Sequence, residues 1–186
     1  MWREVFGVWY EVTFGGLEAS ITRCTDELWL TSMWDVSSDP AQPRALAPDG
    51  SPHPLGNNVL SAVWKVAWHG LAANEFNMYG RQAGFRTSYI PEDPSWVAAQ
   101  AVGFGAPAGE VVPREPPSRE EVVAYLQYNR RLVDMFLAIA REDEGGESTL
   151  GQWRGATSLL LSMFHGNACH LVSHATEVGM FVNQHR

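Results

Sequence analysis

The chain has 186 residues, 45% of them hydrophobic, which suits one compact domain spanning 1–186 with a substantial core. A formal charge of −8 and the lack of a clustered basic stripe exclude non-specific nucleic-acid binding, which needs a Lys/Arg surplus. No apolar run approaches the ~20 residues of a membrane span. Met1-Trp2-Arg3-Glu4 also lacks the pattern of a secretory leader, so a cytoplasmic protein is expected.

Four segments carry helical periodicity, and Pro/Gly-rich connections separate them. The first runs from about Trp2 to Cys24, with Trp2, Phe6, Trp9, Leu17 and Ile21 near helical spacing. Gly15 and Gly16 interrupt it; an interior glycine costs about 1 kcal/mol, so a close helix contact or a kink is expected there. A short helical turn follows over Asp26 to Met33, and residues 35–58 read as a loop. The second helix begins at Asn57 or Asn58, either a good N-cap, and ends near Tyr79 and Gly80.

Residues 81–117 form a long connection in which Asp93 and Pro94 can start a short helix. Phe85, Tyr89, Trp96 and Phe104 within it either cover a pocket or pack the loop down. The third helix has the clearest start, a capping box with Ser118 as N-cap and Glu121 three residues on. Val122, Leu126, Val133, Phe136 and Ala140 form its apolar stripe. The fourth starts near Thr149 and continues to about Asn183. Four long helices and no convincing alternating strand predict an all-α helix bundle.

The chemistry concentrates on the fourth helix. Steps of three and four along it read Leu160, Met163, Asn167, His170, His174, Glu177, Phe181. His170 and His174 lie about 40° apart on one face, since a helix turns about 100° per residue. Apolar neighbours such as Leu171, Val172 and Val178 mark a largely buried helix, and burying these polar groups unpaired costs several kcal/mol. Ligation of a divalent ion satisfies them, because neutral imidazole binds zinc, nickel or iron well. His69, on the face Ala62, Val66, Ala73 and Phe76 of the second helix, is the best third ligand. A metal site of His69, His170 and His174 leaves positions open for water or substrate.

The other reading is that these are core histidines satisfied by hydrogen bonds. His-Glu-x-x-His, Glu-x-x-His, a Walker loop, a dinucleotide fingerprint and a Gly-x-Ser-x-Gly elbow are all missing. Cys24 and Cys169 are too few and too far apart for a disulfide framework and read as small core hydrophobes.

The segments Asn57-Asn58-Val59 through Val66-Ala67-Trp68-His69 and His170-Leu-Val-Ser-His174-Ala-Thr-Glu177 together resemble the DinB/YfiT-like family. The order and spacing of one histidine on the second helix and a pair on the last agree as well. The resemblance implies an antiparallel four-helix bundle with a long crossover, a three-histidine divalent-metal site at His69, His170 and His174, and a homodimer. It also implies kinship with isomerases and S-transferases in which the metal activates a low-molecular-weight thiol. Asn74 stands where an acidic residue is often found, with Glu75 following it, and Thr176 replaces the usual glycine.

The expected function is therefore a divalent-metal-dependent enzyme, a thiol-dependent transferase or isomerase or else a hydrolase, using zinc or nickel, with iron or manganese as alternatives. A small-molecule substrate is its expected partner. The catalytic candidates are Glu177, which can orient a ligand or accept a proton or instead pair with Arg130 or Arg131, and Asn167, which can bond substrate or a helix carbonyl. Asn129 either reaches the site or makes a helix–helix hydrogen bond. The alternatives are a non-catalytic bundle holding a metal or small ligand, as in a stress response, and an interaction module whose histidines are merely buried.

Overall fold

The computed structural model describes residues 2–37, 44–79, 110–139 and 168–185. Helix α1 spans Trp2–Arg23, as its periodicity predicts. Phe6, Tyr10, Phe14, Leu17 and Ile21 recur every three or four residues and are all buried, while Trp9 is only half-buried. The close contact expected at Gly15 and Gly16 is not formed, because a Cβ at either would meet nothing within 4 Å.

Helix α2 covers Asp26–Leu30, with the Thr25 side chain accepting the N–H of Leu28 at 3.2 Å. It stops short of Met33 because the Met33 N–H bonds across the fold to Ser61 O at 2.9 Å. Trp29 Nε1 donates to Pro117 O at 2.8 Å and Arg119 pairs with Asp26 at 2.6 Å, which pins α2 beside the start of the third long helix.

The second long helix begins later than the sequence suggests. Asn57–Ser61 form a tight 3-10 turn, Ala62 is extended, and helix α3 runs Val63–Tyr79. Neither asparagine caps a helix. Asn57 Oδ1 accepts the N–H of Ala45 at 3.0 Å and Asn58 Oδ1 that of Val36 at 2.9 Å, so both side chains bind loops instead. These loops also hold two very short strands that the pattern did not suggest, β1 (Ala45–Leu46) and β2 (Glu110–Val111), paired in parallel with Ala45 opposite Glu110. Buried His53 ties the same loops together, donating from Nε2 to Pro113 O at 3.1 Å and accepting the Leu55 N–H at Nδ1.

Helix α4 covers Arg119–Ile139, and its capping box is formed: Ser118 N–H donates to Glu121 Oε2 at 2.7 Å and Glu121 N–H to Ser118 Oγ at 3.1 Å. Helix α5 covers Cys169–Gln184, and Ala168 before it already has helical dihedrals of φ −65° and ψ −47°. The expected first half of this segment lies outside the described residues, as do Asn167, the short helix near Asp93 and the aromatic side chains of 81–109.

The described chain is mostly helical, in agreement with the all-α reading. Both α1 and α3 pack against both α4 and α5. The core between them holds Phe14, Leu17, Ile21, Trp64, Leu71, Tyr125, Leu126 and Leu171, each less than 2% exposed. No helix among the described residues is long and apolar enough to cross a membrane.

Candidate metal centre

The contact between α3 and α5 is unusually close at one point, and a glycine permits it. A Cβ on Gly70 would lie 3.2 Å from His174 Cβ and 3.5 Å from Leu171 Cδ1. Any larger residue would push α5 away. His69 precedes Gly70 on α3, and this close contact helps to bring its ring to the α5 pair.

The three imidazoles expected from the sequence converge there. One ligand nitrogen from each of His69, His170 and His174 lies within 4.8 Å of the other two. The ring of His69 stands nearly perpendicular to both others, at centroid distances of 5.2 Å to His170 and 5.1 Å to His174. His170 and His174 approach more closely, with centroids 4.5 Å apart and their Nε2 atoms 2.8 Å apart. All three rings are half-buried rather than sealed in the core, which leaves the cluster a face toward solvent.

Glu177 decides the protonation pattern. Its Oε2 lies 2.7 Å from His174 Nδ1, and a carboxylate only accepts, so the proton sits on Nδ1. The lone pair of the neutral ring is then on Nε2, facing His170. An imidazole oriented by a carboxylate through its far nitrogen is the usual arrangement around a ligating histidine. Arg130, one of the alternative partners expected for Glu177, pairs instead with Glu11 and Glu18 on α1.

His69 is held neutral well below the ordinary imidazole range. Burial is the main cause, followed by the positive charge of Lys65 one turn earlier and by the two other histidines. Lys65 is itself buried and forms an ion pair with Glu110 on β2, so the loop strand fixes a cation beneath the site. A neutral imidazole keeps the lone pair that ligation needs. The donor set, three imidazole nitrogens with an orienting carboxylate, therefore fits a divalent ion such as zinc, nickel or iron.

Other candidates fall elsewhere. Asn129 donates to Tyr125 O at 3.2 Å and accepts from Asn74 Nδ2 at 2.9 Å, a bond between α3 and α4 away from the histidines. Trp68 packs on Tyr125 at 4.4 Å, and Trp64 is buried in the core. Both cysteines are free, and Cys169 is exposed rather than packed as a core hydrophobe. His185 is exposed, its Nδ1 bonded to Phe181 O.

The sequence reading missed Gly70 and Lys65, and it noted Glu75 only as the residue that follows Asn74. Glu75 is fully buried and accepts the hydroxyls of Tyr125 at 2.6 Å and Tyr128 at 3.2 Å. Its signal was an acidic residue inside an apolar helix that faces two tyrosines spaced three apart on α4.

Comparisons with protein-family models, with curated proteins and with solved structures found no match to this chain.

Proposed function

We propose that this chain is a divalent-metal-dependent enzyme whose ion is held by His69, His170 and His174. The observation that carries the proposal is the convergence of three imidazoles from two helices, one of them already oriented by a carboxylate through its far nitrogen. Three imidazole nitrogens without a fourth protein ligand among the described residues leave coordination positions for an exchangeable molecule. The half-buried state of the rings gives that molecule access.

The mutual packing of α1 and α3 with α4 and α5 supports the four-helix bundle of the DinB/YfiT-like type that the sequence resembles. On that resemblance the reaction class is transfer or isomerisation using a low-molecular-weight thiol. A divalent ion at the site would supply Lewis acidity and lower the pKa of a bound thiol or water. The protein's own contribution is to bring three ring nitrogens toward one point and to fix the His174 tautomer. Glu177 serves as an orienting group in this reading rather than as the proton acceptor, because its Oε2 is committed to His174.

Cobalt-substituted protein titrated with a small thiol tests the thiol assignment. A new sulfur-to-metal charge-transfer band that disappears in His170→Ala is expected. A cobalt spectrum unchanged by saturating thiol would contradict thiol activation while leaving the metal site standing.

A further inference from the structure

Lysine is rarely buried, yet Lys65 is only 7% exposed. Its ammonium pairs with Glu110 of β2. Taking both charges out of water costs several kcal/mol, and apolar residues of similar volume commonly hold such a position equally well. The buried ion pair therefore points to a use for the charge beyond fastening β2 to α3.

What lies one turn away indicates that use. Lys65 and His69 are about 40° apart around α3 and about 6 Å apart along it. Glu110 approaches from the other direction, since its strand partner β1 packs on the 3-10 turn of Asn57–Ser61 that precedes α3. Burial aside, Lys65 is the strongest influence holding His69 below the ordinary imidazole range, ahead of the two histidines whose ring centroids lie 5.2 and 5.1 Å away. The ammonium thus acts on the candidate centre from inside the protein, where salt and water screen it little.

Charge balance then favours one kind of ligand. On the metal reading proposed above, on which this inference rests, a divalent ion and Lys65 bring three positive charges while Glu110 and Glu177 bring two negative ones, which leaves a single positive charge. Glu75, a fully buried carboxylate on the same helix, is turned to Tyr125 and Tyr128 on α4. Arg114, Arg119 and Arg130 are paired with Asp49, Asp26 and the α1 glutamates. A half-buried centre is most stable near neutrality, so a singly charged anion completes it and a neutral molecule does not. We propose that Lys65 is a specificity-determining residue of this centre, favouring an anionic over a neutral molecule in the open coordination position.

Lys65 acts through its charge rather than by touching the exchanged molecule, because Glu110 holds its ammonium. Glu110 offsets the repulsion between that ammonium and the ion, while its own carboxylate stays on the far side of the lysine. The class selected is a thiolate, a carboxylate or another small monoanion, over an alcohol, a thiol or an imidazole.

Cobalt-loaded protein titrated with azide, an anion, and with imidazole, a neutral ligand, separates the two classes through the visible spectrum. Two variants remove the cation. Lys65→Gln keeps a hydrogen-bond partner for Glu110, and Lys65→Met combined with Glu110→Gln removes the pair together, so that no unpaired charge stays buried. In both, the affinity for azide relative to imidazole should fall, by about fivefold or more in Lys65→Gln and about threefold in the double variant, since a unit charge ~10 Å away across a protein interior changes an anion's affinity roughly tenfold. Loosened packing would weaken both ligands alike and leave the ratio in place. A ratio within about twofold of wild type in both variants, with imidazole still bound, overturns the role of Lys65 and leaves the metal site standing. A wild-type chain that takes up no cobalt, or whose cobalt spectrum responds to neither probe, contradicts the metal reading itself and this inference with it.

Discussion

Glu177 lies one turn beyond His174 on the same helix and accepts the proton of its Nδ1 at 2.7 Å, which turns the unprotonated Nε2 toward His170 and His69. This contact converts a pair of histidines on a helix into a preorganised donor set. Glu177→Ala is expected to weaken zinc binding by about 10- to 100-fold, the usual range for a lost orienting partner. Glu177→Gln, whose amide oxygen still accepts, should lose much less. Competition against a chromogenic chelator measures both, and equal losses in the two variants would argue against the orienting role.

Gly70 sets the distance between α3 and α5. An alanine there gains helix propensity of about 1 kcal/mol but brings a Cβ to 3.2 Å from His174 Cβ, at the root of a side chain anchored in a packed helix. The expected result for Gly70→Ala is a metal-free Tm within a few degrees of wild type and a clear loss of metal affinity. Gly179→Ala is the control. Among the described residues its new Cβ would meet only the Ser20 hydroxyl of α1 at 3.3 Å and none of the three histidines, so affinity should not change.

Metal should stabilise the fold by mass action. At 100 times Kd the gain is about 2.7 kcal/mol, which corresponds to roughly 5–10 °C in Tm for a domain of this size. Differential scanning fluorimetry with zinc, and then with excess chelator, checks this. A Tm indifferent to both contradicts a tightly held ion.

The histidines also set a pH dependence for metal-free protein. His69 is held below its ordinary value of about 6.5 by burial first and then by nearby positive charge, so the unfolded chain takes up its proton before the folded one does. Stability therefore rises with pH in this window. The contribution is complete above about pH 6.5 and is lost as pH falls below it, with a limiting slope near 1.4 kcal/mol per pH unit for this one group. Chelator-treated wild type should show a steeper fall in Tm between about pH 7 and 5 than His69→Gln. Parallel curves would contradict a depressed His69.

The parts legible in the sequence were those governed by local rules. Ser118 and Glu121 cap α4 as their spacing requires, α1 follows its apolar period, and the four-residue step from His170 to His174 places both rings together. His69 could be singled out because a polar ring on an apolar, small-residue face needs a partner. Contacts distant in sequence could not be read this way. Asn57 and Asn58 look like caps, but their acceptors are claimed by Ala45 and Val36 from loops folded over them. Gly70 looks like a helix defect until His174 is seen against it, and the pairing of Lys65 with Glu110 depends on a strand pair only two residues long.

Metal stoichiometry by elemental analysis, on protein purified without an affinity-tag metal and re-dialysed with zinc, tests the account most directly. A single ion per wild-type chain is expected, lost in each of His69→Ala, His170→Ala and His174→Ala while the helical circular dichroism persists. Full retention of the ion by the His69→Ala protein, or a wild-type chain that takes up none, would contradict it.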